Sequence, residues 1–252
     1  MEAGTPPRAP LMEVFASIQG EGRYAGEPQV FLRLAGCPLR CTYCDTPASW
    51  ALPRDPDWVT PFQAACHVRE VEPGAARTVS VTGGEPLLWP GFVAALRTFL
   101  GPRRIHLETA GAHPAALERV LEHVDHVSLD LKAPEDLEPT VEIPAQGETE
   151  RAPDGPPAWG TVRARVLPLL AGRDACAKVV VVGGTPAGAY DALLADVERL
   201  APELPVVIQP ATPVRGAAAP PQAELDAVLE LALARGLEVR VLPQIHHRLG
   251  LP

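Results

Sequence analysis

The sequence contains no apolar run of the roughly 18 residues that a membrane-spanning helix needs. Residues 1–10 are rich in proline and lack the basic start and apolar core of a signal peptide. Positive charge is also scarce, because 22 Lys and Arg against 31 Asp and Glu give a formal net charge of −9. We therefore expect a cytoplasmic protein with no membrane and no nucleic acid among its partners, since affinity for nucleic acid comes largely from Lys and Arg on phosphates.

Cysteine is too scarce and too unevenly placed for a disulfide framework. There are five cysteines in 252 residues, and Cys37, Cys41 and Cys44 fall within eight residues of one another. Disulfide frameworks belong to short, secreted, evenly paired chains, whereas clustered cysteines elsewhere are more often metal ligands or catalytic groups. Cys66, in a predicted helix, and Cys176, beside a predicted strand, are interpreted as small buried hydrophobic residues.

Short runs rich in Val, Ile and Leu recur along the chain and mostly do not alternate cleanly, which is typical of parallel strands covered by helices. Segments with helical apolar spacing lie between them, so the pattern predicts βα units, an α/β fold and a parallel sheet. Six or seven strands fall short of the eight that close a barrel, and we expect a partial parallel α/β barrel. The predicted strands are Gln29–Leu34, Thr78–Thr82, Arg104–Glu108, His126–Leu131, Lys178–Val182, Val206–Gln209 and Glu238–Leu242. The predicted helices are Pro61–Val71, Gly91–Leu100, Pro114–His123, Ala187–Leu200 and Pro221–Arg235.

The whole chain, 1–252, is predicted to be a single domain. Residues 1–10 are expected to form a flexible tail. Residues 133–160 are rich in Pro, Glu and Gly with little periodic apolar content, which predicts a surface insertion. A lid over the active site is the alternative interpretation of that insertion.

The segment Cys37-Pro-Leu-Arg-Cys41-Thr-Tyr-Cys44 directly follows a predicted strand. Three thiolates in the spacing C-x3-C-x2-C can hold a four-iron, four-sulfur cluster and leave the fourth iron without a protein ligand. That open iron can chelate the amino and carboxylate groups of a substrate. A structural zinc site is the alternative, but zinc normally takes four protein ligands and the sequence has no second cysteine pair.

With Thr82-Gly83-Gly84-Glu85-Pro86 after the next strand, this loop resembles the radical S-adenosylmethionine (SAM) superfamily, whose fold is a partial α/β barrel. The resemblance implies a [4Fe-4S] cluster on the three cysteines and SAM as a second cofactor. Asp130 and Lys132, at a predicted strand end, equally fit a buried ion pair. The resemblance implies that SAM is bound by Tyr43, Asp45, Gly83, Gly84, Glu85, Asp130, Lys132 and Gln209.

A narrower resemblance is carried by Ser17-Ile18-Gln19-Gly20-Glu21-Gly22, Arg33, Cys44-Asp45-Thr46 and Gln244-Ile245-His246-His247. These segments are similar to the 7-carboxy-7-deazaguanine synthase family of the queuosine pathway. The similarity implies a lyase that converts 6-carboxy-5,6,7,8-tetrahydropterin to 7-carboxy-7-deazaguanine with loss of ammonia. It also implies Mg²⁺ on Thr46, an external reductant such as flavodoxin and a homodimer. The implied substrate-binding residues are Ile18, Gln19, Gly20, Glu21, Arg33, Thr82, His246 and Pro252.

Arg33 has a physical reason of its own, because an Arg on a buried strand needs an anion and can pair bidentately with a carboxylate. The sequence departs from the family where His247 stands in place of the usual Lys, and where Asp130-Leu131-Lys132 replaces Ser-Pro-Lys. Two other functions remain as alternatives. The first is an activating enzyme for glycyl-radical proteins, which shares the cysteine spacing but does not explain the presence of the implied substrate-binding residues. The second is a non-enzymatic metal-binding module, which needs only the cysteines.

Overall fold

The computed structural model describes residues 5–74, 77–143 and 151–251. The strands in these parts of the chain are β1 (Ala9–Ile18), β2 (Pro28–Leu34), β3 (Arg40–Cys41), β4 (Asp57–Val59), β5 (Thr78–Gly83), β6 (Ile105–Thr109), β7 (His126–Leu131), β8 (Leu137–Glu138), β9 (Ala175–Val181), β10 (Val206–Pro210) and β11 (Val239–Val241). The helices are α1 (Pro61–Val71), α2 (Pro90–Leu100), α3 (Pro114–Val120), α4 (Gly155–Leu169), α5 (Gly188–Leu200), α6 (Gln222–Ala234) and α7 (Ile245–Leu249). No helix of the described residues is both long and apolar enough to cross a membrane.

A nine-stranded sheet forms the centre of the fold in the order β11-β10-β9-β7-β6-β5-β2-β1-β4. The seven strands from β11 to β2 run parallel, and β1 and β4 add an antiparallel edge. Helices α1 to α6 pack one against the next in chain order, so they form a continuous outer layer. The α/β class and the partial barrel are therefore confirmed.

Local sequence signals fix several helix starts. Thr60 caps α1, since its hydroxyl accepts from the Gln63 amide at 3.3 Å while the Gln63 side chain accepts from the Thr60 amide at 2.9 Å. Such caps contribute about 0.5–2 kcal/mol. Proline stands at the first position of α1, α2 and α3, where a missing N–H costs little.

Strands β6 and β7 alternate more cleanly than predicted. In β6 and β7 the polar residues His106, Glu108, His126, Ser128 and Asp130 are separated by apolar ones. Side chains two positions apart share one face of a strand, and Glu108 and Asp130 line the cavity described below. The polar side chains therefore face the barrel interior, and the apolar ones meet the helices.

The predicted flexible tail is wrong for its last two residues. Ala9 and Pro10 begin β1 and are buried, because this strand pairs with β2 on one side and with Val59 and Trp58 of β4 on the other. Residues 1–4 lie outside the described residues.

The predicted surface insertion 133–160 is wrong at both of its ends. Ala133 and Asp136 are buried, and β8 pairs with β3 in the cysteine loop. Helix α4 begins within the segment and buries Trp159, so a few apolar side chains supply packing that the polar composition hides. Residues 144–150 lie outside the described residues.

The two cysteines outside the loop differ in burial. Cys176 is buried as predicted, whereas Cys66 is half-buried and accepts a hydrogen bond from Arg69 at 3.3 Å.

Candidate active site

A cavity of about 390 Å³ opens at the carboxyl ends of the parallel strands. This is the end at which open and barrel-like α/β sheets place their ligand sites. Pro252 lies outside the described residues. The structure brings together around this cavity every other residue predicted for the site, namely Ile18, Gln19, Gly20, Glu21, Arg33, Cys37, Cys41, Tyr43, Cys44, Asp45, Thr46, Thr82, Gly83, Gly84, Glu85, Asp130, Lys132, Gln209 and His246.

The cysteine loop is held by backbone hydrogen bonds on several sides. The Cys37 amide donates to the Trp50 carbonyl at 3.0 Å, and the Thr42 amide donates to the Asp136 carbonyl at 3.0 Å. The Arg40 guanidinium donates to the Cys37 carbonyl at 2.7 Å. The loop is therefore a defined structure, and its three cysteines line one cavity.

The cysteines fit an iron–sulfur cluster better than a zinc ion. Among the described residues, three His, Cys, Asp or Glu side chains bring ligand atoms within 4.8 Å of one another only at Asp45, His246 and His247. Three sulfurs on one zinc would lie about 3.8 Å apart, for Zn–S bonds of about 2.3 Å. Burial raises the pKa of the Cys37 and Cys41 thiols, so thiolates here need a cationic partner. Either metal would supply the charge, but in a cubane cluster each cysteine binds a different iron, so the three sulfurs need not lie as close together as they do around one zinc.

Gly83 and Gly84 let the end of β5 lie directly on the cysteine loop. Gly83 has φ +140°, and a Cβ there would sit 2.1 Å from the Leu34 carbonyl oxygen. A Cβ on Gly84 would lie 2.8 Å from Cys37 Cβ. The two glycines therefore allow the end of β5 to approach the backbone at Leu34 and Gly36, where the cysteine loop begins.

Glu85 is buried and its carboxylate is already hydrogen-bonded. Its oxygens accept from the Thr109 hydroxyl at 2.6 Å and from the Leu87 and Ala110 amides at 3.0 and 2.9 Å. Burial raises the pKa of Glu85 despite these bonds. The carboxylate joins the ends of β5 and β6 at the cavity wall.

Asp130 and Lys132 form the ion pair that was one of their two interpretations from the sequence, with Lys132 Nζ 3.3 Å from Asp130 Oδ2. Lys132 Nζ also lies 5.1 Å from the centre of the Tyr43 ring. Burial lowers the pKa of Lys132, but Asp130 and Tyr43 raise it well above its usual value overall. Lys178 Nζ lies 3.1 Å from the other Asp130 oxygen.

Gln19 and Gly20 begin the loop between β1 and β2. Gln19 Nε2 donates to Glu108 Oε1 at 2.6 Å, and Gln19 Oε1 accepts from the Glu21 amide at 3.0 Å. The Gly20 carbonyl accepts from the Ile245 amide at 3.0 Å, so helix α7 sits on this loop.

Glu21 is paired on both carboxylate oxygens, by Lys178 and by Gln244. Burial raises its pKa, but the charge of Lys178 and the hydrogen bonds from Lys178 and Gln244 lower the pKa to about 2. Glu21 is therefore a carboxylate at neutral pH.

The anion that Arg33 requires is Glu13, which the sequence analysis did not identify. Arg33 Nε lies 2.7 Å from Glu13 Oε1 across the β1–β2 pair, and the guanidinium lies 5.5 Å from the centre of the Phe15 ring. Arg33 and Glu13 both line the cavity.

Thr46 and Asp45 form an oxygen-rich corner beside α7. Thr46 Oγ1 donates to Asp45 Oδ1 at 3.2 Å, and Asp45 Oδ2 accepts from Gln244 Nε2 at 2.8 Å. His247 Nε2 lies 3.8 Å from the same oxygen. Hydroxyl and carboxylate oxygens are the ligands that Mg²⁺ prefers.

Glu108, Lys178 and Gln244 also line the cavity, and the sequence analysis assigned them no role. Glu108 accepts from the hydroxyls of Ser80 and Thr82, each at 2.9 Å. The signal for Lys178 was present, since a lone charge in the otherwise apolar strand Ala-Cys-Ala-Lys-Val-Val-Val needs a buried partner. Gln244 belongs to the motif Gln244-Ile245-His246-His247, but the sequence analysis assigned it no role.

Residues 32–151 match the model of the radical SAM superfamily. The chain is 38% identical over 258 residues to the 7-carboxy-7-deazaguanine synthase of Methanothermobacter thermautotrophicus, covering 97% of this chain and 98% of that protein. It is 33% identical to the 7-carboxy-7-deazaguanine synthase of Geobacter sulfurreducens, again covering 97% of this chain and 98% of the relative. The chain belongs to the 7-carboxy-7-deazaguanine synthase family. The family resemblance carried by the sequence motifs is therefore confirmed.

Solved structures agree with the fold of this 7-carboxy-7-deazaguanine synthase family member. The crystal structure of QueE from Escherichia coli superimposes with a TM-score of 0.55 at 20% identity and covers 93% of both chains. A radical SAM methyltransferase from Sphaerobacter thermophilus gives a TM-score of 0.57 at 16% identity, covering 96% of this chain and 79% of the other. At sequence identities of 20% and 16%, these structural similarities show a shared fold and nothing more.

Proposed function

We propose that this chain is a radical SAM lyase that converts 6-carboxy-5,6,7,8-tetrahydropterin to 7-carboxy-7-deazaguanine with loss of ammonia. The observation that carries the proposal is that the cysteines and the predicted substrate residues line one cavity in a chain with near full-length relatives of that name. The alternatives explain less, because neither a glycyl-radical activating enzyme nor a metal-binding module accounts for Gln19, Arg33 and Thr46 around the same cavity.

The cofactors follow from the same arrangement. We assign a [4Fe-4S] cluster to Cys37, Cys41 and Cys44, and with SAM bound beside it the cluster would supply radical chemistry for removing hydrogen from the substrate. Gln209 has a buried side-chain oxygen without a partner in the described part of the chain, which suits a wall that a cofactor completes. We assign SAM to Tyr43, Asp45, Gly83, Gly84, Glu85, Asp130, Lys132 and Gln209.

The remaining cavity residues would bind and orient the pterin. Arg33 offers a guanidinium to the substrate carboxylate, and Gln19 and Glu21 offer an amide and a charged acceptor to the polar edge of the pterin. Thr46, beside Asp45, would hold Mg²⁺ with substrate oxygens and waters. We assign the substrate to Ile18, Gln19, Gly20, Glu21, Arg33, Thr82, His246 and Pro252.

Turnover by anaerobically reconstituted protein tests the proposal. We expect about four irons per chain and formation of 7-carboxy-7-deazaguanine from the carboxypterin, SAM, Mg²⁺ and a reductant, followed by mass spectrometry. Cys44→Ala should abolish product and cluster absorbance, whereas Cys66→Ala, which changes a half-buried cysteine on α1, should retain both. A brown wild-type protein that forms no deazaguanine contradicts the substrate, and a colourless zinc protein contradicts the enzyme class.

We further propose the setting in which the enzyme works. It is a cytoplasmic single-domain homodimer of 1–252 that takes electrons from an external reductant such as flavodoxin and binds neither nucleic acid nor membrane. Light scattering should then give twice the 26.8 kDa chain mass. A monomer at micromolar concentration contradicts the dimer and leaves the proposed chemistry unaffected.

A further inference from the structure

A row of polar side chains crosses the barrel interior from Asp174 to the cavity. His126 Nδ1 lies 3.0 Å from Asp174 Oδ1, and His126 Nε2 lies 3.4 Å from Ser128 Oγ. Ser128 Oγ lies 2.8 Å from His106 Nε2, and His106 Nδ1 lies 3.3 Å from Gln19 Nε2. His106, His126 and Ser128 are buried. We call Asp174, His126, Ser128 and His106 the relay, and the proposed chemistry assigns none of them a role.

Both imidazoles of the relay are neutral near pH 7. Burial lowers the pKa of His106 well below its usual range, and the charges of His126 and Lys178 lower it further. Burial also lowers the pKa of His126, although Asp174 acts in the opposite direction. A neutral imidazole has one N–H donor and one lone pair, so the direction of the hydrogen bond at one nitrogen determines that at the other.

The direction of the relay is set at Asp174, because an ionised carboxylate only accepts hydrogen bonds. His126 therefore carries its hydrogen on Nδ1 and has its lone pair on Nε2. That lone pair faces the Ser128 hydroxyl at 3.4 Å and the Cys176 sulfur at 4.0 Å. Because a thiol is a weak donor, we assign the single hydroxyl hydrogen of Ser128 to His126 Nε2. Ser128 Oγ then accepts from His106 Nε2–H, which leaves a lone pair on His106 Nδ1. That lone pair accepts from the amide NH2 of Gln19.

This direction requires the side-chain amide of Gln29 to be reversed, because Gln29 Oε1 as placed accepts from Gln19 Nε2 at 3.4 Å and would face the lone pair of His106 Nδ1. Gln29 Oε1 also lies 3.3 Å from His106 Nδ1, while Gln29 Nε2 has no partner among the described residues. Amide oxygen and nitrogen are assigned from the hydrogen-bond network. The reversed orientation lets the orphan nitrogen of Gln29 donate to the same lone pair.

We propose that His106 is a positioning residue for the substrate, and this inference rests on the proposed function. With one Gln19 N–H directed to His106, the other donates to Glu108 Oε1 at 2.6 Å, and Gln19 Oε1 accepts from the Glu21 amide at 3.0 Å. The relay thereby fixes which end of the Gln19 amide faces each neighbour, and it holds Glu108 in place. Gln19 and Glu108 both line the cavity, so the relay fixes which of their acceptor oxygens face the pterin edge.

The tautomers can be measured without turnover. Histidine-selective ¹⁵N labelling of the holoenzyme with its oxidised cluster should show His126 protonated on Nδ1 and His106 protonated on Nε2 at pH 7. Ser128→Ala should disturb the signals of both rings. A His106 ring protonated on Nδ1 in the wild type overturns the proposal.

Kinetics test what the relay does for the substrate. Ser128→Ala breaks the link between the two rings, and loss of one hydrogen bond predicts a rise of about 3- to 10-fold in KM for the carboxypterin. Iron content and SAM affinity should stay unchanged, and more 5′-deoxyadenosine should form per deazaguanine. Cys176→Ala is the matched control, because the Cys176 sulfur lies 3.6 Å from Ser128 Oγ and 4.0 Å from His126 Nε2, so the variant changes the packing around the relay but keeps the Ser128 hydroxyl. Its KM should equal that of the wild type.

The outcomes separate this inference from the proposed function. An unchanged KM in Ser128→Ala overturns the positioning role while the proposed function stands. An equal loss of iron, SAM affinity and turnover also overturns it, because that pattern indicates a merely structural role. A wild-type enzyme that binds iron and SAM but forms no deazaguanine overturns the proposed function. It also overturns the substrate-positioning role, whichever nitrogen of each histidine carries the hydrogen.

Discussion

Glu21 keeps its negative charge inside the cavity because Lys178 lies against one carboxylate oxygen and Gln244 against the other. Burial opposes ionisation, yet the partners lower the pKa of Glu21 to about 2. In an unfolded chain the pKa of Glu is about 4.3. The folded-state pKa is the lower one, so the ionised carboxylate stabilises the fold above about pH 4.3, and this contribution is lost as pH falls toward 2.

Glu21→Gln should therefore remove an acid-sensitive part of the stability. We expect the variant to lose about 3 kcal/mol of unfolding free energy at pH 5, since each pKa unit corresponds to about 1.4 kcal/mol. The difference from the wild type should shrink steadily between pH 4 and pH 2. Urea unfolding at these pH values measures it. Glu70→Gln, on the exposed face of α1, is the control and should stay within about 0.5 kcal/mol of the wild type. A pH-independent difference for Glu21→Gln contradicts the assignment.

Single residues of the site were predictable where a motif or an unusual placement marked them. The three cysteines and Gly83–Glu85 follow strand ends, and they meet there because parallel strands share one carboxyl edge. Glu13 was missed because its partner Arg33 lies 20 residues away in sequence and becomes adjacent only when β1 pairs with β2. Gln244 was given no role because its bonds to Glu21 and Asp45 join the far end of the chain to its beginning.

At the scale of elements, helix α7 and the β1–β2 loop close one side of the cavity together. A Cβ built on Gly20 would lie 1.7 Å from His246 Nδ1, so the two elements are in direct contact. Gly20→Ala should displace the His246 side chain or the helix, at a cost of about 1–3 kcal/mol for the overpacked contact. We expect KM for the carboxypterin to rise at least about 10-fold, which corresponds to about 1.4 kcal/mol of lost binding, with iron content unchanged.

Gly188→Ala is the matched glycine control for that experiment. Gly188 is the first residue of α5, and a Cβ there meets nothing within 4 Å. Since alanine is a better helix former than glycine by up to about 1 kcal/mol, this variant should be neutral or slightly stabilised. Equal KM values for Gly20→Ala and Gly188→Ala would show that the contact with His246 does not shape the substrate site.

The parallel strands and most helices were predictable because each carries a short-range apolar pattern. Strand β1 was not, although Leu11, Val14, Phe15 and Ile18 are apolar, because it pairs antiparallel with β2 and β4 and belongs to no βα unit. Helix α4 was not, because Gly155, Pro156 and Pro157 at its start and Pro168 near its end disguise it. The layer of polar side chains on β6 and β7 was interpreted only as imperfect alternation of polar and apolar residues. It fills the barrel interior with groups that serve the cavity, which no local pattern indicates.

At the scale of the whole molecule, the cavity is shared by the two halves of the open barrel. Its wall takes Arg33 and Thr82 from one half, Lys178 and Gln209 from the other, and α7 across the mouth. A ligand that fills the cavity therefore binds the folded state and not the unfolded chain, and it stabilises the entire domain by mass action.

Addition of SAM to the cluster-loaded protein should raise its melting temperature. At one hundred times its Kd, SAM adds about 2.7 kcal/mol to the free energy of unfolding. For a chain of this size that corresponds to a shift of about 5–10 °C, measured by anaerobic calorimetry. The triple variant Cys37→Ala, Cys41→Ala, Cys44→Ala should shift less, because the open iron that would chelate the amino and carboxylate groups of SAM is missing. Equal shifts in the two proteins would place SAM binding away from the cluster, and no shift in the holoenzyme would contradict the assignment of this cavity to SAM.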